Sequence, residues 1–253
     1  MGANMRAAAA RAVVALLGWL VASSAAYAQD RFEVQVYDSD TAPTGSAGLE
    51  VHVNVVTAGE PAAVEPISPV VGVTHVTFEP HLGVASWCEL GGYLQTAERP
   101  DGTFLAAGAK LRLKLRVPHK YQGVGFAINF ELSDVPTRFE PNQWGSEVRP
   151  ILDVTRWGWY GSVNPILDTD LAGSQAFRPQ FQPAAKLARI LSEDVRLGGE
   201  YYGAFGSNAQ HFLLAALDYA ADWLDLNVGV GYGVAGPERW LLKMIVGLHP
   251  PGG

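Results

Sequence analysis

The chain has 253 residues, 48% of them hydrophobic, with 18 Lys and Arg against 25 Asp and Glu for a formal net charge of −7. That balance excludes nucleic acid as a partner, because binding it needs a basic surface. Cys88 is the single cysteine, so no intramolecular disulfide can form, and the residue reads as a small apolar strand position.

Arg6 and Arg11 flank the start of an apolar run from Ala12 to Ala22, which is followed by the A-x-A site Ala26-Tyr27-Ala28. This predicts a secretory signal peptide over residues 1–28, cleaved before Gln29. The run has 11 residues, whereas a spanning helix needs about 20, so a membrane anchor is disfavoured. Cleavage removes two arginines and no acid, taking the net charge to −9. Nothing after residue 28 offers a charge-free apolar run long enough for a transmembrane helix. No lipoprotein-type cleavage box precedes Cys88, so no acyl anchor is expected.

Residues 29–48 are read as an N-terminal segment holding one strand-like piece, Phe32 to Asp38. From residue 49 to 253 the chain reads as all-β. Only Pro183 to Glu193 and Asn208 to Leu226 suggest a helix, through Ala and Leu content. Elsewhere alternating runs are broken by Gly, Pro, Asn and Asp, the hairpin pattern. Twelve strands are predicted, at 49–57, 74–82, 87–96, 105–117, 123–133, 146–155, 158–167, 181–191, 195–205, 210–219, 224–232 and 240–248. Connections alternate between longer loops (58–73, 97–104, 134–145, 168–180, 206–209, 233–239) and tight turns (83–86, 118–122, 156–157, 192–194, 220–223). An even strand count with that alternation fits an antiparallel up-and-down transmembrane β-barrel. Counting Phe32 to Asp38 as a strand would reverse the register, so that piece is placed outside the count, as a periplasmic or lumen-entering segment.

The stretch Lys110 to Val117 carries the most information. Extended, it sets Lys110, Arg112, Lys114 and Arg116 on one face and Leu111, Leu113, Leu115 and Val117 on the other. The same alternation recurs in Leu49 to Val55, Phe126 to Ser133 and Leu224 to Tyr232. A soluble β-sandwich or smaller barrel would show it too, with the apolar face inside. Two features favour the membrane barrel: polar faces rich in ionisable residues and glycine, and aromatics near strand ends. The aromatics are Trp87, Trp144, Trp157, Trp159, Tyr160, Trp223, Tyr232 and Trp240, read as interfacial girdles against outer-membrane lipid.

Glu50-Val-His52-Val-Asn54, Glu89-Leu-Gly-Gly-Tyr93, Asn129-Phe-Glu131-Leu, Arg149-Pro-Ile, Asn164-Pro165, Gly199-Glu-Tyr-Tyr-Gly203, Gly229-Val-Gly-Tyr and Trp240 to Lys243 occur in this order across nearly the whole mature chain. Together they resemble uncharacterised bacterial outer-membrane β-barrel proteins near the transporters linked to the meta-pathway of phenol degradation. The resemblance implies a barrel inserted by the barrel-assembly machinery and passing small, aromatic or otherwise hydrophobic, solutes. The chain departs from outer-membrane barrels in its last residues, Gly247-Leu-His-Pro-Pro-Gly-Gly253, where an aromatic residue is common.

The predicted lumen carries Lys110, Arg112, Lys114, Arg116, Arg149 and Lys243, with Lys186 and Arg196. Against them stand Glu50, Glu79, Glu89, Glu131 and Glu200, with Glu147, Asp153, Asp218 and Asp225. His52, Asn54, His75 and Asn129 share the inward faces. Neighbouring cations of the basic ladder sit about 6 to 7 Å apart, close enough to require carboxylates, and Glu131 is the first candidate counter-ion. The network is either a constriction ordering polar groups of a solute or a set of charge pairs closing a small barrel.

Metal is not expected, because the i, i+2 spacing of His75, Thr77, Glu79 and His81 sets side chains too far apart unless strands converge. Nor is catalysis. A barrel-embedded lipid-modifying enzyme needs a histidine and a serine two apart, and His75-Val-Thr77 and His52-Val-Asn54 lack the serine. No Walker loop, dinucleotide fingerprint or calcium loop is present, so no cofactor is predicted. Gly229-x-Gly231-x-Gly233 reads as room for a crowded lumen. The expected function is an outer-membrane barrel, reached after export, that passes or binds small solutes. A closed structural or ligand-binding barrel is the alternative.

Overall fold

The computed structural model describes residues 30–60, 69–205 and 209–249. The signal-peptide segment and the last four residues lie outside that range. Fourteen strands follow in chain order: β1 (Ala47–Gly59), β2 (Thr74–Ala85), β3 (Cys88–Glu98), β4 (Phe104–Arg116), β5 (Val124–Asp134), β6 (Trp144–Arg156), β7 (Trp159–Asn164), β8 (Leu167–Asp170), β9 (Gln180–Phe181), β10 (Ala184–Ile190), β11 (Val195–Ala204), β12 (Gln210–Ala221), β13 (Leu224–Ala235) and β14 (Glu238–Leu248). Each pairs antiparallel with its neighbours, and β1 pairs with β14, opposing Asn54 to Lys243, so the sheet closes on itself.

Strands β7 and β8 are one stave interrupted at Pro165, and β9 and β10 another interrupted at Pro183, since proline has no N–H to give a ladder. Merging each pair leaves a closed twelve-stave barrel. The two Ala- and Leu-rich stretches that suggested helix are staves as well, because pairing on both sides outweighs local propensity.

Faces decide the environment. Leu111 is 69% exposed while its neighbour Arg112 is 4% exposed. The same inversion holds around the wall: Leu94, Phe126, Leu187, Leu213 and Val230 point outward, and Glu79, Asn129, Arg149, Glu200 and Lys243 are buried. A water-soluble sandwich places these groups the other way round, so the wall is built for a hydrocarbon surround.

One end of the barrel has tight turns and the other longer loops. The turn between β6 and β7 is Trp157-Gly158, both at positive φ (55° and 74°), the conformation a two-residue hairpin needs to match strand twist. Trp87, Trp157, Trp159 and Trp223 ring this end, and Trp144, Tyr232 and Trp240 ring the loop end, all outward. Tyr160 is a correction. It is 4% exposed and faces the interior beneath Arg196, because it follows outward-facing Trp159 by one residue in a period of two.

The glycine cluster in β13 makes room, as expected. A Cβ on Gly231 would come within 2.7 Å of the Leu214 side chain, which is buried inside the barrel.

Candidate functional site

Residues 30–46 run through the barrel from the loop end to the turn end. Arg31 is ion-paired to Glu238 at the start of β14, and Gly45 bonds Gly83 beside the first turn. This strap includes Phe32 to Asp38, which is lumen-entering rather than a wall strand. A closed barrel has no free strand edge to offer it, so wall side chains must satisfy its backbone. Asn164 accepts the Tyr37 N–H at 2.7 Å, and Ser162 and Asn164 donate to the Tyr37 carbonyl at 2.6 and 3.1 Å. Asp153 accepts Ser39 N–H and Glu89 accepts Ala42 N–H, each at 2.6 Å. Thr77 and Lys243 donate to the carbonyls of Phe32 and Val34 at 2.9 and 3.0 Å.

Three rungs of the basic ladder, Lys110, Lys114 and Arg116, meet the strap's acids. Lys110 lies 2.7 Å from Asp30 and 3.1 Å from Glu33, Lys114 is 3.6 Å from Asp38, and Arg116 is 3.1 Å from Asp40. Arg149 reaches Glu33 at 2.7 Å and Glu147 at 2.6 Å, and its guanidinium stacks 4.6 Å above the Tyr37 ring. Glu131, the expected counter-ion, meets one rung of the ladder. It faces Arg112 across the β4–β5 ladder yet serves Lys110 at 3.4 Å, and Arg112 turns to Glu79 (2.9 Å) and Glu89 (2.7 Å) instead. The guanidinium reaches that side because its other neighbour, Gly91, presents no side chain; a Cβ there would meet Arg112 at 2.9 Å.

The middle of the lumen is filled by a hydrogen-bonded layer. Tyr37 and Tyr93 share a 2.7 Å hydroxyl contact, Tyr93 donates to Glu131 at 3.0 Å, and Asn129 donates to the same carboxylate at 2.8 Å. His52 contacts Glu79 at 3.0 Å and Glu50 at 3.5 Å. These ligand atoms lie within 4.8 Å of one another because β1 and β2 oppose Glu50 to Glu79, the strand convergence that sequence spacing alone lacked. Arg112 already occupies Glu79, which makes the cluster an ion-pair network centred on the guanidinium. Across the barrel, Glu200 holds Lys243 at 2.6 Å and Lys186 at 3.0 Å.

Of the sequence-derived lumen set, Glu50, His52, Asn54, His75, Glu79, Glu89, Lys110, Arg112, Lys114, Asn129, Glu131, Arg149, Glu200 and Lys243 all lie inside this network or beside it, and Arg116 sits at its turn-end rim. His75 packs its ring 4.8 Å from Phe32, and Thr77 gives its hydroxyl proton to the Phe32 carbonyl, so the pair forms no base and nucleophile. Sequence reasoning left out the strap's Asp30, Glu33, Tyr37, Asp38 and Asp40, with their receivers Ser162 and Asn164. The available signal was four acids in eleven residues just ahead of a wall carrying four aligned cations.

Below the central layer, at the turn end, lies a cavity of about 930 Å³ lined by strap residues with Glu50, His81, Glu89, Arg112 and Lys114. Space and charge of this kind suit a small polar solute.

A closed antiparallel barrel with an ionic lumen and a lipophilic exterior defines the class of outer-membrane β-barrel folds. Among solved structures, the chain is similar to an outer membrane channel from Pseudomonas putida F1, with a TM-score of 0.60 and 12% identity over 86% of this chain and 100% of that one. It is also similar to the KdgM porin, with a TM-score of 0.54 and 10% identity over 79% and 98% of the two chains. The same porin in complex with disordered oligogalacturonate gives a TM-score of 0.52, with 10% identity over the same shares. At these identities the likeness is one of fold. No family model matches the chain, and no curated protein matches it.

Proposed function

We propose that the chain is an outer-membrane channel for small solutes whose lumen is closed, in the state described, by its own residues 30–46. Tight turns then face the periplasm and the longer loops face outward, with the aromatic girdles at the two lipid interfaces. The observation that carries this reading is how the strap is held. Apart from the backbone bonds that tie Gly45 and Ser46 to Gly83, it is bound by ion pairs, side-chain hydrogen bonds and apolar contact, with no strand pairing of its own, so it can leave without unzipping the wall. The solved channels of the same fold support a transport role, and the resemblance to phenol-linked barrels supports small aromatic solutes as cargo.

Planar-bilayer recording of the full mature chain beside a variant lacking residues 30–41 tests it. The full chain should pass little steady current and the shortened one a much larger current. A shortened barrel that stays heat-modifiable on gels yet electrically silent would favour the second reading, a closed barrel with a structural role. That second reading draws on the number of wall groups the strap satisfies.

A further inference from the structure

At the loop end, beside Asp30, lies a cavity of about 50 Å³ that the strap does not fill. Six carboxyl groups line it, Asp30, Glu131, Glu140, Glu147, Asp168 and Asp170, of which Glu140 holds its proton to about pH 8, against the single ammonium of Lys110. That ammonium is already divided among Asp30, Glu33 and Glu131, and Glu147 has Arg149. Arg31, a further cation nearby, is engaged by Glu238. Among the described residues, Asp168 accepts from the Thr169 amide and the Gln182 side chain.

Two buried groups also face the cavity without a partner. Asp170, 9% exposed, has its Oδ2 unbonded, and Gln95, 2% exposed, has both amide atoms unbonded. A buried acceptor left unmade costs about 1–3 kcal/mol, more when charged, so the pocket is complete only with a donor inside it. Excess negative charge makes that donor a cation.

Geometry selects the kind of cation. A divalent ion draws its oxygen ligands to about 2.3–2.6 Å from one centre. Among the described residues, the two groups whose ligand atoms crowd within 4.8 Å are Glu50, His52 and Glu79, and Asp38, Asp40 and Asp153, both away from this cavity. Acceptors more widely spread suit several N–H donors reaching out about 2.8 Å each. Phe32 and Val135 add an apolar edge, and an aromatic ring attracts an ammonium. We infer that this pocket binds the ammonium head of a small alkylamine, whose chain leaves along Phe32 toward the mouth. Binding here does not require conduction, since an equilibrium measurement reads it on a closed barrel.

The test is calorimetric titration of the full mature chain in detergent with 1,4-diaminobutane, and separately with calcium chloride and tetramethylammonium chloride. Saturable diamine binding is expected, weakened about tenfold or more by Asp168→Asn with Asp170→Asn, and weakened also by uncharged Gln95→Leu, with heat-modifiability retained in both. Absence of saturable diamine binding overturns the inference, as when the chain fills the pocket with a group of its own. So does calcium displacing the diamine, equal binding of tetramethylammonium, which has no N–H to give, or folded variants that bind like the parent.

Discussion

The two sides of the lumen solve the same electrostatic problem differently. On the β2–β6 side, the cations Lys110, Lys114, Arg116 and Arg149 draw counter-ions from the strap. On the β10–β14 side, Lys186, Lys243, Glu200 and Asp218 neutralise one another within the wall. The strap meets that second side mainly through apolar contact, with Val34 packed among Val56, Ile166, Tyr202, Phe212, Leu214 and Leu241. One side therefore needs the strap for the charge balance of four cations, whereas the other draws on it for one acid, Glu238, which pairs with Arg31. Lys114 and Arg116 show the dependence most directly. Their carboxylate partners, Asp38 and Asp40, both belong to the strap.

The largest effect is expected where the strap's charge is most deeply buried. Glu33 is 2% exposed and bonded to both Arg149 and Lys110. Glu33→Gln leaves two buried cations short of an anion, and removing one partner of such a network costs about 3–5 kcal/mol. Urea unfolding in vesicles should register that loss, and bilayer current should rise as the strap detaches. Unchanged current would break the proposed division between the two sides.

Glu200→Gln is the matched experiment on the self-contained side. It strands Lys243 beside Lys186, so stability should fall by a comparable or slightly smaller amount, about 3 kcal/mol. Current should stay low, because the strap's ion pairs remain. If this variant conducts as Glu33→Gln does, the strap is held by the whole lumen and the contrast fails.

How much of this could be read in advance follows the same division. Wall alternation is local, and a period of two reports it directly: Lys110 to Val117 showed both its faces, and the hairpin turns fell within a few residues of the expected breaks. The seat of the strap is not local. Asn164 and Tyr37, bonded at 2.7 Å, are 127 positions apart, and no spacing rule joins them. Arg112 illustrates a finer limit. Its register partner Glu131 was foreseeable, but the choice of Glu79 and Glu89 depends on the empty side of Gly91, which only the assembled wall reveals.

A smaller effect is expected at the turn end, where solvent reaches the ion pairs. Asp40 is about half exposed and bonds Arg116 and Lys120. Exposed pairs contribute about 0.2–1 kcal/mol and are screened by salt. Asp40→Asn should therefore lower stability by less than about 1 kcal/mol. The difference from the parent should shrink as ionic strength rises, whereas the Glu33→Gln loss should persist. Equal salt sensitivity of the two would mean that Glu33 is reached by solvent.

The mildest expected effect separates the loop end from the rest by pH. Glu140 lies in the loop between β5 and β6, outside the wall. Burial first, and then the charges of Asp30 and Asp168, push its carboxyl up to about 8 from 4.5, with Arg31 and Lys110 opposing. Because the folded chain holds this proton more tightly than the unfolded one, the associated stability is full below about pH 4.5 and is lost as pH rises through about 8. A detergent melt should fall across that window, by less than so large a shift implies in full because water reaches part of the side chain. Glu140→Gln should flatten the profile. A bound alkylammonium favours the ionised carboxylate, so saturating 1,4-diaminobutane should also shift the fall to lower pH and raise the melt most at alkaline pH. A diamine effect that is the same at every pH would place the amine away from Glu140.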